Sequence, residues 1–200
     1  MPEAERRAPK SLRRLVVWPL TKDDETELTY GDAVEMTKAV MTATYTPSVA
    51  TGRLEADDSV VENDVENIGG ALAIGLTALK SSEAALFFGH KLTNGTNVSN
   101  KDDIGGEVAV AYMTMRGDGL ANLFKFFKNK FSPQAVTHNT KKVGTIEYAV
   151  TNLQGEYVPT YRNGTDMAYR YGVDPQADSA IITAWFTDAD YIAPAPGGEG

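Results

Sequence analysis

The sequence predicts an α+β fold dominated by β-strands, and three observations predict it. Side-chain character alternates at period two along 34–42, 108–113 and 146–150, the pattern of half-buried strands. Clusters of Gly, Pro, Asn and Asp separate such stretches and read as turns and loops. Only two segments, 81–88 and the one opening at Asp174-Pro175, carry helical signals. Two hundred residues of ordinary globular composition fit one domain with enough chain for a sizeable core.

Each element has its own justification. A first strand covers Leu12 to Leu20 and ends in the charged turn Lys22-Asp-Asp-Glu25. Val34, Met36, Lys38, Val40 and Thr42 share one side of a second strand, which runs toward Tyr45 and stops at Pro47, since proline cannot donate to a ladder. Between Thr46 and Asn63 lies a long polar hairpin or loop holding Gly52. Ile68 to Leu79 follows as a strand, in which Gly69, Gly70 and Gly75 mark bulges or close backbone approach. Ser81 to Phe88 forms a short helix. Ser81 suits its N-cap, Glu83 the positive end of its dipole, and Gly89 the left-handed position after its last turn.

Lys91 to Gly106 reads as a polar loop, and Val108, Val110 and Tyr112 as a third strand. Gly117-Asp-Gly119 turns that strand into Leu120–Phe131, where Phe124, Phe126 and Phe127 sit among Lys125, Lys128 and Lys130. A loop over 132–142 precedes a strand at Ile146, Tyr148 and Val150, with Glu156 to Tyr161 as its hairpin partner. Asp174-Pro175 supplies an N-cap and a proline at the first helical position. The helix it opens carries the apolar stripe Ile181, Ile182, Trp185 and Phe186. The chain thus divides into a basic N-terminal arm over 1–11, a domain over 12–187, and a Pro/Gly-rich flexible tail over 188–200.

The formal charge of −8 argues against a generic nucleic-acid binder, whose footprint is basic. The charge is uneven. Residues 1–14 hold Arg6, Arg7, Lys10, Arg13 and Arg14 against Glu3 and Glu5, a net of +3, which leaves −11 for the remainder. Such an arm suits an acidic neighbour, a second copy included; the plain alternative is a solvated terminus. With no cysteine, neither a disulfide framework nor a thiolate metal site exists. Leu15-Val-Val-Trp-Pro-Leu20 is too short for a signal peptide core, and no stretch approaches a membrane span. The sequons at Asn94, Asn97 and Asn163 read as loop chemistry.

No catalytic constellation stands out. His90 and His138 are the only histidines, and neither has metal-ligand spacing. There is no nucleophile elbow and no phosphate-binding glycine loop. Arg116-Gly117-Asp118 fits a tight turn between strands. Asp57-Asp58 and Asp102-Asp103 lack the spacing of a calcium loop. Lys125, Lys128 and Lys130 among phenylalanines would suit single-stranded nucleic acid. A twisted strand with lysines on its wet face and phenylalanines on its dry face explains them better. The sequence therefore predicts no enzyme, no cofactor and no metal.

The most informative stretch runs from Leu54 to Leu79, 26 residues without one Lys or Arg. Its front half packs Glu55, Asp57, Asp58, Glu62, Asp64 and Glu66 before the Gly-spaced apolar run begins. An acidic ribbon feeding a strand is a surface that repels anions, mounted on a β-scaffold.

Four stretches, in order, resemble the major tail or tail tube protein of long-tailed bacteriophages. They are Leu28-Thr-Tyr-Gly-Asp32; the run from Leu54-Glu-Ala-Asp-Asp-Ser-Val-Val-Glu62 through Ile68–Leu79 to Leu86-Phe-Phe-Gly-His90; Phe124–Ser132 with its Phe-Lys-Asn-Lys-Phe-Ser ending; and Asp174–Phe186, closing with Ile182-Thr-Ala-Trp-Phe-Thr187. Together they span most of residues 12–190. The Arg-rich start and the Pro/Gly tail fall outside the resemblance.

That resemblance implies a β-sandwich or flattened barrel flanked by a short helix and a C-terminal helix. It implies six copies in a ring, their inner sheets joined into one barrel, and rings stacked as a tube in the virion, assembled in the bacterial host cytoplasm. Its partners would be other copies of itself, the tape measure, the tail terminator and the distal tail protein, with DNA passing through unbound and no membrane involved. Under this reading Glu55, Asp57, Asp58, Glu62, Asp64 and Glu66 are candidates for the lumen or a ring junction. Thr46, Pro47, Thr51, Gly52 and Arg53 are candidates for a loop bridging stacked rings. Leu86, Phe87 and Phe88 with Ile181, Ile182, Trp185 and Phe186 are candidates for helix packing on the outside of the sheets or for ring contacts. The competing readings are a tail terminator, a head–tail joining protein or a non-catalytic binding domain, and more remotely a hydrolase using His90 or His138.

Overall fold

The computed structural model describes residues 8–24, 27–36, 39–56, 59–133, 150–162, 165–167, 169–171 and 178–192. Its strands are β1 (Pro9–Asp23), β2 (Leu28–Tyr30), β3 (Val34–Glu35), β4 (Val40–Ala56) and β5 (Ser59–Leu76). After helix α1 (Ser81–Phe88) come β6 (Lys91–Thr93), β7 (Thr96–Val98), β8 (Glu107–Arg116) and β9 (Ala121–Ser132). Then follow β10 (Thr151–Tyr157), β11 (Thr160–Arg162), β12 (Thr165–Met167), β13 (Tyr169–Tyr171) and helix α2 (Ser179–Thr187). The fold is α+β and mostly β, as the periodicity predicts.

Nine of these strands form one antiparallel sheet in the order β2-β1-β8-β9-β10-β5-β4, with β3 added to β1 and β13 to β9. The sheet is rolled. β4 lies three strands from β9, about 14 Å away if the sheet were flat, yet the rings of Tyr45 and Phe126 meet at 5.7 Å. The curl closes over a core that takes Leu15 and Val17 from β1, Leu72 and Ile74 from β5, Val110 from β8, Phe126 from β9 and Leu153 from β10.

A second cluster lies on the outer side. There α2 lays Trp185 and Phe186 over Val16, Trp18, Ala109, Ala111, Ala121 and Leu123 of β1, β8 and β9. The small alanines let the helix approach closely. The two helices therefore play different parts. α2 packs on the outside of the sheet, whereas α1 sends Phe87 into the inner core, edge-on to Phe131 at 5.1 Å.

Several boundaries differ from the sequence reading. Pro47 does not end its strand: β4 continues through it to Ala56, since among the described residues β4 is an edge strand and a proline on its free side breaks no ladder bond. The segment after Thr46 is a paired hairpin, with β5 beginning at Ser59 rather than Ile68. Lys80, not Ser81, is the N-cap of α1, and its backbone N–H donates to Glu83 Oε2 at 2.8 Å. Gly89 closes the helix at φ +71°, as its sequence position predicts. The loop over 91–106 contains the small hairpin β6–β7, turned at Asn94-Gly95.

α2 starts at Ser179, where the Asp178 carboxylate accepts from the Ala180 N–H at 2.8 Å. Asp174-Pro175 and the strand residues Ile146 and Tyr148 lie outside the described residues. Arg116–Leu120 is a turn: the Arg116 N–H donates to the Leu120 carbonyl at 2.8 Å and its guanidinium bridges Asp118 at 2.6 Å.

Candidate assembly surface

The β4–β5 hairpin outruns the sheet that supports it. β10 accompanies β5 only as far as the pair Tyr157–Gly70. Beyond it, Val49–Ala56 and Ser59–Asn67 pair with each other and, among the described residues, with no third strand. The exit is built for a bend. Ile68 is bulged out between the pairs Ser48–Gly69 and Val49–Asn67. Gly69 adopts φ +117°, and its N–H donates to Asn67 Oδ1 at 3.0 Å. A side chain there would run into the Tyr157 carbonyl as well as into a disfavoured φ.

Register gives the ribbon two faces. On one lie the pairs Val49–Asn67, Thr51–Val65 and Arg53–Asn63; on the other lie Ala50–Glu66 and Gly52–Asp64. Val49, Val65 and Ile68 are 53%, 62% and 52% exposed. An isolated two-stranded ribbon is marginal in water, and its two unpaired edges are templates for further strands.

The predicted site residues fall into place unevenly. Thr46, Pro47, Thr51, Gly52 and Arg53 all belong to β4, in a strand rather than a loop. Asp64 and Glu66 share one face, Glu55 pairs with Val60 past a second bulge, and Asp57 and Asp58 lie outside the described residues. Leu86 and Phe88 are partly buried against the inner core, and Ile181 and Ile182 against the outer one. Trp185 is fully buried, its indole N–H donating to the Phe124 carbonyl at 3.2 Å. Of the basic start, residues 1–7 lie outside the described part, and Arg14 is engaged within its own chain. Arg14 sits at φ +50°, its guanidinium 3.3 Å from Glu35 and 4.4 Å over the Phe186 ring.

Of the lysines of β9, Lys130 is exposed as the wet-face reading expects, whereas Lys125 departs from it. Lys125 is fully buried, with Nζ donating to the carbonyls of Asp188 at 2.7 Å and Tyr191 at 3.3 Å, above the rings of Trp185 and Trp18. A bulge on β9, where Phe127 and Lys128 together face Ala109 of β8, breaks the alternation and buries both Phe126 and Phe127. Lys128 bridges Asp23 at 2.7 Å and Glu107 at 3.4 Å, and Asp23 also accepts from the Thr160 hydroxyl at 2.8 Å. The Asp23 hydrogen bond is the largest cause raising the Lys128 pKa; burial opposes it, and the charges of Glu107 and Asp23 add smaller upward effects. Periodicity alone could not reveal these partners, which come from segments far apart in sequence.

Two concavities open on the surface, one of about 430 Å³ beside Trp18, Tyr30 and Asp188 and one of about 560 Å³ over Ala71, Lys130 and Gln154. Among the described residues no group of three or more His, Cys, Asp or Glu is placed to hold a metal ion. His90 lies tilted against Phe88, ring centres 5.5 Å apart, and His138 lies outside the described residues.

No protein-family model matches the chain, and no curated protein does. Among solved structures, a chain of the anti-feeding prophage baseplate, determined by cryo-EM and sixfold symmetrised, aligns with 82% of this chain and 95% of its own length, at 13% identity and a TM-score of 0.42.

Proposed function

We propose that this chain is a phage virion structural protein, a tail tube subunit that assembles with copies of itself into rings and stacked rings, most simply hexameric. The observation that carries this reading is the β4–β5 ribbon. It leaves the body at Gly69, exposes Val49 and Val65, and carries the 17-residue edge strand β4. Soluble monomers protect such edges with lysines, short strands or a covering element. Along the ribbon part of β4, Val49–Ala56, no lysine and, among the described residues, no covering strand does so. A neighbouring copy satisfies both the edge and the apolar face.

The negative balance of the chain fits a conduit that lets DNA pass without holding it. The other tail proteins, tape measure, terminator and distal tail protein, would then meet the ends or the interior of the tube. Size-exclusion chromatography with light scattering on the full chain tests the proposal. It expects a concentration-dependent ring or higher polymer, and a strictly monomeric protein at all concentrations would refute it. A single closed ring that never stacks would favour a tail terminator or joining protein.

A further inference from the structure

The two ends of β1 differ in kind. At its start the Gly117 N–H of the β8–β9 turn donates to the Ala8 carbonyl at 3.2 Å, and Arg6 and Arg7 come just before. At its far end lies the concavity of about 430 Å³. Its lining holds the rings of Trp18 and Tyr30 and the acids Asp32, Asp188 and Asp190, with no lysine or arginine. Carboxylates beside aromatic rings suit a guanidinium, which pairs with the first and stacks on the second. The chain uses the same combination within itself, where Arg14 meets Glu35 at 3.3 Å and the Phe186 ring at 4.4 Å.

Reach decides whose arginine can enter. Pro9 and Trp18 pair with Arg116 and Ala109 of β8, and the seven residues between those partners span about 23 Å of strand. Arg7 and Arg6 precede Pro9 by two and three residues, about 7 to 10 Å of extended chain. Their side chains do not cover the difference. A chain's own arginines therefore fall short of its own concavity, and only another copy can bring a pair to it.

We propose that the concavity beside Trp18 receives Arg6 and Arg7 of a second copy, an inference that rests on the reading of the chain as a self-assembling subunit. Charge favours the match, since residues 1–14 carry a net of +3 and the remainder −11. Lys125 holds the receiving side in shape: its ammonium donates to the Asp188 carbonyl at 2.7 Å and lies 5.5 Å from the Trp18 ring. Arm and concavity sit at opposite ends of β1, so the contact is heterologous. Each copy gives at one end and receives at the other, and the contact passes along a series of copies instead of closing a pair.

The chain has no cysteine, so an introduced pair reads the contact directly. Glu5→Cys with Ala33→Cys in the full chain puts one thiol beside the arginines and one in the lining of the concavity. Both arginines and all three aspartates are kept. Mild oxidation and a denaturing gel without reductant should give a ladder of dimers, trimers and higher species. Arg6→Gln with Arg7→Gln should cut its yield about tenfold or more, as should about 1 M salt, where the Debye length falls to about 3 Å. Glu5→Cys with Ser179→Cys, whose second thiol sits exposed at the other end of α2, controls for chance collision. A ladder no stronger than the control, or one that survives loss of both arginines, contradicts the proposal. A cross-link within one chain contradicts docking between copies, and dimers alone contradict its head-to-tail sense. Light scattering on the unaltered protein separates the two readings. Assembly without a ladder refutes the arm contact and leaves the tube standing, whereas a protein that never assembles refutes both.

Discussion

The ammonium of Lys125 lies 4.8 Å from the ring centre of Trp185 and donates to the Asp188 carbonyl at 2.7 Å. One residue of a central strand thus holds α2 both by its face and at its C-terminal end. The indole adds its own bond to the Phe124 carbonyl, next to Lys125 in the chain. Helix, strand and the turn at 188–191 form one unit inside the subunit.

That arrangement predicts that Trp185→Ala lowers the unfolding free energy by about 3–5 kcal/mol, the cost of truncating a buried indole. Lys125→Met keeps the apolar stem and removes the Nζ donor from two carbonyls, of which that of Asp188 keeps the Tyr191 N–H at 3.3 Å, for a loss of about 1–3 kcal/mol. Both effects should appear in urea unfolding under conditions that keep the protein monomeric. A Trp185→Ala variant as stable as the parent would move α2 out of the subunit core.

The exposed apolar face of the ribbon predicts a separation of folding from assembly. Val49→Lys with Val65→Lys should leave the melting temperature within a few degrees, since both residues are more than half exposed. The same pair should abolish or strongly weaken polymerisation. Calorimetry together with sedimentation velocity decides it. Unimpaired polymers would show that this face meets solvent in the assembly.

Stability should fall at alkaline pH. Burial raises the Tyr112 pKa, and the Asp23 bond and neighbouring carboxylates raise that of Lys128, from ordinary values of 10.0 and 10.5. For a group raised on folding, the stabilisation is complete below the unfolded pKa and is lost as pH rises through the folded one. Unfolding curves should therefore be insensitive to these groups up to about pH 9 and lose stability above about pH 10. Tyr112→Phe and Asp23→Asn should each flatten that decline; an unchanged profile in both would disprove the assignment.

The bend at the root of the ribbon predicts a contrast between two glycines. Gly69 and Gly95 both have positive φ, but only Gly69 is crowded, with the Tyr157 carbonyl in the way of a side chain. Gly95→Ala should cost about 1 kcal/mol, the conformational penalty alone. Gly69→Ala should cost more, about 2–4 kcal/mol, because the β10 backbone must also move. Equal losses in thermal unfolding would mean that the close approach relaxes freely.

How much of this could be read from the chain follows from what each signal depends on. Strands with one wet and one dry face announced themselves, as at Val108, Val110 and Tyr112, because period two is a local property. The helix over 81–88 was legible to its end since Gly89 is a local terminator. Pro47 misled because a proline forbids a ladder bond only where a partner strand stands, and among the described residues β4 has none on that side. Lys125 misled for the opposite reason: its indole partners come from β1 and α2 and its carbonyl partners from the turn after α2, which no local pattern connects to β9. The acidic run was visible as composition, but only the pairing of β4 with β5 shows that Asp64 and Glu66 share a face opposite Gly52 and Ala50.

The central claim is that the ribbon joins one copy to the next. Its most direct measurement is negative-stain imaging of two purified proteins side by side, the full chain and one in which residues 49–67 are replaced by an Asn-Gly turn joining Ser48 to Ile68. The account predicts rings or tubes with an open centre for the full chain, and compact single particles with an unchanged far-ultraviolet β signature for the trimmed one. Tubes of normal length from the trimmed protein, or single particles from both, would contradict it.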